Sequence, residues 1–405
     1  MSALPDLQQH PNPLAAHYSR FRVSDRLLLT GHSHQAWPDV GFEGQVEAWN
    51  DAADLVDEKW VRAGEKADRV RRGYAKLLGD RDGSIALGQN THELILRLLS
   101  ALPLRERPRL VTTDGEFHTL RRQLDRLAED GLLEIVKVSA KPADAIAERL
   151  ITATNGRTAA VLASSVLYAS AHIVPGLGSV LEHCRRVGAE LLVDAYHHVN
   201  AVPLSLERDG LGDAFITGAG YKYCQLGEGN GFLRVPPGRD HLRPVATGWF
   251  SEFAHLTDRV TDSVQYGKGP ARWAGATYDP TSNYRAARVF EFFEREGLSP
   301  EVLRAISQHQ VGLLAGRFDS LSLDPRLITR DRSVPLDSIG GFLALESPRA
   351  GEIAAGIRER GVLADLRGTV LRLGPAPYLS DPQLHAAMDA IGEVVRALPA
   401  TGPTP

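Results

Sequence analysis

Lys222 stands in the run Ala214-Phe215-Ile216-Thr217-Gly218-Ala219-Gly220-Tyr221-Lys222-Tyr223, after an apolar stretch and between two tyrosines. In an apolar pocket a lysine loses its charge to desolvation, and the neutral amine is a nucleophile towards a carbonyl. The chain has seven lysines against 39 arginines. Lys59, Lys66, Lys76 and Lys141 lie in charge-rich, solvent-facing contexts, Lys137 alternates out of a strand, and Lys268 falls in a Gly-containing loop. The GAGYK run lacks the third glycine of a dinucleotide fingerprint and the GxxxxGK[ST] order of a phosphate loop. Asp194 opens Asp194-Ala195-Tyr196-His197-His198, directly after an apolar run, where a buried carboxylate requires a partner. Asp194, His197 and His198 could ligate a metal, but adjacent histidines diverge and no HxxxH or HExxH pattern supports them, so no metal site is assigned. Asn90 and Thr91, in Gly88-Gln89-Asn90-Thr91-His92, stand where a helix begins and could hold a phosphate there, or serve as a plain helix cap. Phe117, in Asp114-Gly115-Glu116-Phe117-His118, could stack on a planar ligand or pack in the core.

These residues are carried by alternating elements. Asp39 to Leu78 has helical spacing, with Val46, Trp49, Ala53, Val56 and Trp60 at three- and four-residue intervals. From Ser84 short apolar runs alternate with helices: Ser84–Leu87, Arg109–Thr112, Leu133–Val138, Ala159–Ala163 and Glu190–Val193 as strands, with Thr91–Leu102, Thr119–Glu129, Ala143–Ala153 and Gly178–Arg186 between them. That rhythm predicts an α/β fold with a mainly parallel sheet between helices. Strands are expected at Ala201–Leu204, Ala214–Thr217 and Gly231–Val235, an irregular stretch at Gly267–Thr281, and a long helix over Ser299–Leu321. The remainder reads as a small α+β unit, and the first residues as a polar arm. We expect an arm over 1–45, a large domain over 46–300 and a small domain over 301–405.

The charge balance, 46 basic against 50 acidic residues for a net −4, argues against nucleic acid and against an anionic membrane surface as partners. No stretch approaches the ~18 apolar residues of a membrane span. Two cysteines without a CxxC, and no signal-peptide pattern at the start, lead to a cytoplasmic expectation. Ligands in α/β sheets bind beyond the carboxyl ends of strands, and all four features fall there. A phosphate cup, a stacking ring, an acid and, 28 residues after the acid, a lysine are what pyridoxal 5′-phosphate requires. The acid keeps the pyridine nitrogen protonated, and the lysine carries the aldehyde as an imine.

In this order the sequence resembles the class V branch of the aspartate-aminotransferase fold (fold type I), and within it the kynureninases. The resemblance runs from about Leu27 to Leu398. It is carried by W-V-R-A-G-E at Trp60–Glu65, A-L-G-Q-N-T-H-E-L at Ala86–Leu94 and V-D-A-Y-H-H-V-N at Val193–Asn200, then by G-Y-K-Y at Gly220–Tyr223, G-W-F at Gly248–Phe250 and V-L-R-L-G-P-A-P-Y at Val370–Tyr378. It implies a seven-stranded sheet in the large domain. By similarity, Lys222 would hold the cofactor and move the substrate's α-proton, Asp194 would pair with the pyridine nitrogen, and His197 would lie close by. Asn90, Thr91 and Tyr221 would hold the phosphate, Phe117 would face the ring, and Tyr221 or His197 would assist proton transfer. Trp249 and Thr277 would reach the phosphate of the other subunit, which implies a homodimer with shared active sites. Arg372 would clamp the substrate carboxylate.

Departures fall where the family reads its substrate. G-N-S-L-G is Gly31-His32-Ser33-His34-Gln35 here, D-L-A-H is D-A-Y-H, and the asparagine before two prolines is replaced by Trp273-Ala274-Gly275-Ala276-Thr277. His32 and Ser33 join Arg372 as substrate-contact candidates, while His32, His34 and Trp273 either shape a different pocket or pack at the dimer interface. The implied activity is hydrolytic Cβ–Cγ cleavage of kynurenine or 3-hydroxykynurenine to an anthranilate and alanine, within tryptophan catabolism. The alternative is another class V reaction, β-elimination, desulfuration or transamination, on a different amino acid. A catalytically silent relative is opposed by the presence of both Lys222 and Asp194.

Overall fold

The computed structural model describes residues 8–80, 84–257 and 262–399. A short strand β1 (Leu27–Leu28) precedes two helices, α1 (Val40–Leu55) and α2 (Lys59–Leu78). The alternating region follows: β2 (Ser84–Gly88), α3 (Thr91–Ala101), β3 (Arg109–Thr113), α4 (His118–Glu129) and β4 (Glu134–Val138). It continues through α5 (Ile146–Ala153), β5 (Thr158–Ser164), α6 (Leu177–Val187) and β6 (Glu190–Asp194), then β7 (Phe215–Ala219) and β8 (Gly231–Val235). Next come α7 (Thr281–Arg295), α8 (Pro300–Ser320), β9 (Thr329–Arg330), β10 (Leu343–Glu346) and α9 (Ala350–Glu359). The last elements are β11 (Val362–Leu363), β12 (Asp365–Arg367), β13 (Val370–Leu373) and α10 (Asp381–Ala397).

Seven strands form the main sheet in the order β2-β8-β7-β6-β5-β3-β4. β7, β6, β5, β3 and β4 run parallel, and β8 is antiparallel to both its neighbours. This is the mainly parallel seven-stranded α/β sheet expected from the sequence. β5, β7 and β8 are buried along their whole length, because helices cover both faces. The crossover helices supply the apolar positions that close each face, such as Leu94, Ile95 and Leu98 of α3. A second sheet, β12-β13-β10-β9, is antiparallel and lies in the C-terminal part.

Three elements differ from the sequence reading. Ala201–Leu204 is a turn, entered through Asn200 at φ 65° and led into Pro203, which has no N–H to give a strand ladder. α7 had no counterpart in the reading. Its first turns bury Ser282, Asn283 and Arg285 beside Tyr284, so the apolar periodicity that betrays a helix is interrupted. The polar N-terminal segment is not detached either: residues 13–21 form a 3₁₀ stretch that buries Leu14 and Tyr18, and β1 pairs in parallel with β11.

α7 packs against α1 and α2 through glycines. A Cβ on Gly44 would meet Tyr284 O at 2.7 Å and Arg285 Cα at 2.9 Å, and one on Gly73 would meet the Phe290 ring at 2.6 Å. The close approach lets Arg285 reach out of the helix, donating from Nε to Leu226 O at 2.6 Å and from Nη2 to Glu228 O. Those carbonyls belong to the loop that follows Lys222.

Candidate active site

β6 delivers Asp194 at its carboxyl end, opposite Ser164 of β5 and Thr217 of β7. Asp194 Oδ1 accepts the Tyr196 N–H at 2.9 Å and turns the chain away from the strand. Oδ2 has no hydrogen-bond partner among the described residues. Burial raises the carboxyl's pKa, and the Tyr196 N–H and the nearby Lys222 charge work against that rise. A buried carboxylate with one oxygen free is the acceptor that a pyridinium N–H needs.

Lys222 follows β7 in a tight loop closed by Leu226 N–H to Gly220 O at 2.9 Å and Gln225 N–H to Lys222 O at 3.0 Å. Gly220 cannot carry a side chain: a Cβ would meet Leu226 Cγ at 2.6 Å and Tyr74 Oη at 2.7 Å. The loop buries the amine, with 6% of Lys222 exposed. Nζ lies 4.4 Å from the Tyr196 ring centroid, 5.3 Å from Phe117 and 5.9 Å from Tyr221. It lies within hydrogen-bonding distance of His197 Nε2, at 2.7 Å. Desolvation lowers the amine's pKa to about 7, with Asp194 opposing and Arg372 assisting the shift. His197 is held neutral, its pKa well below the usual value, by burial first and by the Lys222 charge second. The pair is thus a neutral imidazole against an amine that gives up its proton near neutrality.

Phe117 stands at the start of α4, half-buried, edge-on to Tyr168 with centroids 5.4 Å apart. Asn90 caps α3, its Oδ1 accepting the Glu93 N–H at 3.0 Å, and Thr91 is buried behind it. Gly231 passes so close that a Cβ there would meet the Asn90 carbonyl carbon at 2.7 Å. The α3 N-terminus therefore sits against the β8 end of the sheet, beside β7 and the Lys222 loop.

Arg372 lies on β13 with 2% of its side chain exposed. Nη1 donates to Tyr168 O at 2.6 Å, and Nη2 is paired with Asp365 of β12. His32 is fully buried, its ring 4.6 Å from Phe342 and its Nε2 3.5 Å from Asp365 Oδ2. Burial drops its pKa to about 3, so it is neutral. Ser33 is buried and donates to Thr30 O at 3.2 Å. His34 is exposed and edge-on to Tyr221, with centroids 5.8 Å apart. Trp273 is 1% exposed and packs edge-on against Phe215 in the sheet's core, touching a separate cavity beside Val235 and Lys268. Trp249 and Thr277 are joined at 3.3 Å on an exposed face, at the rim of a cavity of about 410 Å³ lined by Gly88, Gln89, Phe250, Phe253 and Thr277.

Lys222, Asp194, His197, Tyr221, Phe117, Arg372 and His32 thus share one neighbourhood, whereas Trp249 and Thr277 lie on an outer face. Three partners went unnoticed in the sequence. Tyr196, inside D-A-Y-H, is the ring nearest the amine. Glu116 is buried, accepting from Thr113 Oγ1 at 2.6 Å and Ser164 Oγ at 2.5 Å, and burial raises its pKa to about 7. Asp365 was findable: D-L-R-G-T-V-L-R is a hairpin with Gly368 at φ 57°, and its register sets Asp365 opposite Arg372. The residues present fit pyridoxal 5′-phosphate. A buried amine without a carboxylate on it, a carboxylate with a free oxygen and a half-buried ring are what the aldehyde, the ring nitrogen and the ring face need.

No protein-family model matches the chain. It is 24% identical over 362 residues to the uncharacterized aminotransferase YcbU of Bacillus subtilis, covering 85% of this chain and 88% of that one. It is 25% identical to isopenicillin N epimerase of Streptomyces clavuligerus (80% and 83%) and 24% identical to kynureninase of Pseudomonas fluorescens (87% and 82%). Among solved structures, C-DES with glycine covalently linked to its PLP cofactor superposes with a TM-score of 0.81 at 14% identity, covering 94% of this chain and 99% of that one. A cysteine desulfurase from Thermococcus onnurineus gives 0.79 at 17%, covering 96% and 99%. The fold is thus that of these PLP-dependent structures, fold type I, and over at least four-fifths of its length the chain is similar to class V aminotransferase-like relatives.

Proposed function

We propose that the chain is a pyridoxal 5′-phosphate enzyme acting on an α-amino acid, with kynurenine or 3-hydroxykynurenine as substrate. The observation that carries the reading is the buried Lys222 amine, enclosed by Tyr196, Phe117 and Tyr221 and touching His197. The bound cofactor would supply an electron sink for the substrate's α-carbon. Lys222 holds it and moves the α-proton at Nζ, with His197 Nε2 placed to exchange that proton. Asp194 Oδ2 accepts the ring N–H, Phe117 covers the ring, and Asn90, Thr91 and Tyr221 hold the phosphate. Arg372 binds the substrate carboxylate, with His32 and Ser33 beside the clamp. The hydrolysis adds water's hydroxyl to the acyl carbon and its proton to the departing β-carbon, giving anthranilate and alanine. The alignment with kynureninase supports this substrate, while the V-D-A-Y-H-H-V-N and V-L-R-L-G-P-A-P-Y blocks support the cofactor and the carboxylate clamp. Trp249 and Thr277 complete the phosphate site of a second copy in a cytoplasmic homodimer divided into an arm (1–45), a large domain (46–300) and a small domain (301–405).

A second reading, another class V reaction on a different amino acid, is favoured by Trp273. It stands where the family's aryl-ketone contact would begin, and it is buried in the core. Within that reading a desulfurase is the weakest form. Cys184 and Cys224 are both buried, and burial pushes the Cys184 thiol up to about 12, so neither offers a mobile sulfur acceptor.

Borohydride treatment of the holoenzyme should fix the cofactor on Lys222, and Lys222→Ala should lose both that product and turnover while keeping the fold. Full turnover in Lys222→Ala overturns the assignment. Kynurenine should release fluorescent anthranilate. Silence with kynurenine and 3-hydroxykynurenine, in an enzyme whose visible absorbance still responds to amino acids, selects the second reading.

A further inference from the structure

Arg372 has an acid on it already. In the β12–β13 hairpin Asp365 stands directly opposite Arg372, and its Oδ2 takes the Arg372 Nη2 donor. The same carboxylate has a second cation: Arg367 Nη1 is 3.3 Å from Oδ1, on a side chain 43% exposed. His32 Nε2 approaches Oδ2 at 3.5 Å, but that ring is buried and neutral and adds no charge. The cluster therefore holds two guanidinium groups and one carboxylate, and it is short of one anion. Arg372 also keeps an unused donor, because its buried Nε has no hydrogen-bond partner among the described residues.

We propose that Asp365 is a resident carboxylate that pairs with Arg372 while the site awaits substrate and shifts to Arg367 when the substrate carboxylate arrives. A buried guanidinium left without a counter-ion is costly, so an empty clamp needs a stand-in. Asp365 can leave without becoming unpaired, since Oδ1 already faces Arg367 and moving towards it leads to the more exposed side. The exchange converts one shared carboxylate into two separate pairs, Arg367 with Asp365 and Arg372 with substrate. Affinity for an amino acid is then set by the difference between two carboxylates on one guanidinium. Asp365 acts through Arg372 and is a positioning residue. The inference rests on Arg372 being the carboxylate clamp and Lys222 the cofactor-bearing amine.

The test titrates the holoenzyme's visible absorbance with L-alanine and with ethylamine, which is alanine without the carboxylate. Asp365→Asn should lower the half-saturating concentration of alanine roughly five- to tenfold, the scale of one partly screened charge contact. Ethylamine should be unmoved. Arg367→Gln, a surface change that keeps the fold, should raise the alanine value, and that rise should vanish in the Asp365→Asn background. An Asp365→Asn enzyme that binds alanine more weakly or unchanged overturns the exchange, as does an Arg367→Gln effect that persists in the double variant. Should Asp365→Asn fail to fold, an unchanged alanine value in Arg367→Gln overturns it alone. If ethylamine too gives no response and borohydride fixes nothing on Lys222, the underlying reading has failed and this inference falls with it.

Discussion

At the scale of single residues, the site works by removing water from charged groups and returning only part of what water gave. Lys222 is given His197 and three rings where water would have stood, and its pKa comes down to about 7. Glu116 is treated in the opposite sense. Burial first and the Asp194 charge second raise it to about 7 from its ordinary 4.5, against the hydrogen bonds given by Thr113 and Ser164. A carboxyl raised on folding binds its proton more tightly in the native state. Its contribution to stability is therefore full below about pH 4.5 and is lost as the pH climbs through 7. Glu116→Gln, which keeps the shape and cannot ionise, should melt close to the parent at pH 5 and above it at pH 8. The gain at pH 8 should be on the order of 2 kcal/mol. A difference between the two proteins that stays constant from pH 5 to 8 would mean that Glu116 does not titrate in this window.

At the scale of elements, the loop that bears Lys222 is braced by Gly220 from within and by Arg285 of α7 from outside. α7 can stand there because α1 presents Gly44 to its backbone. Gly44→Ala would press a methyl onto Tyr284 O and Arg285 Cα, atoms that cannot rotate away, and should cost about 1–3 kcal/mol in denaturant titrations. A neutral Gly44→Ala would show that the two helices separate freely. The alternating strands were legible in the sequence because buried parallel strands are short, continuous apolar runs, and Asp194 and Lys222 could be placed at their ends. α7 was not legible, since tertiary contacts to the Lys222 loop and to α1 bury its polar first turns and erase the amphipathic stripe. The role of Trp273 was open for a similar reason: nothing in Trp-Ala-Gly-Ala-Thr tells a core ring from a pocket ring. Asp365 was missed although its signal was local, because a charged pair across a three-residue strand reads as surface until its partner proves to be buried.

At the scale of the whole molecule, apolar surface collects on one side chain after another around α1 and α2. Trp49 is 78% exposed, and Val56 and Val61 are about as open; Trp249 and Phe253 are exposed as well. Soluble proteins seldom leave such residues to water without a use for them. In the shared-site reading they meet a second copy, so Trp49→Glu should shift sedimentation towards the single chain and loosen cofactor retention together. A parent enzyme that already sediments as one chain removes that reading. The joining of β1 to β11 carries a consequence for the order of events during synthesis. Leu29 N–H donates to Leu363 O at 2.8 Å, and Gly31 and Gly374 exchange backbone bonds with this same segment, which brings His32 to Asp365. These partners are more than 300 residues apart, so a growing chain can close the Lys222 pocket long before residues 362–374 emerge. In the proposed reading, the nascent protein would pass through a stage with its amine in place and the proposed carboxylate clamp still absent: able to take up the cofactor, unable to choose a substrate.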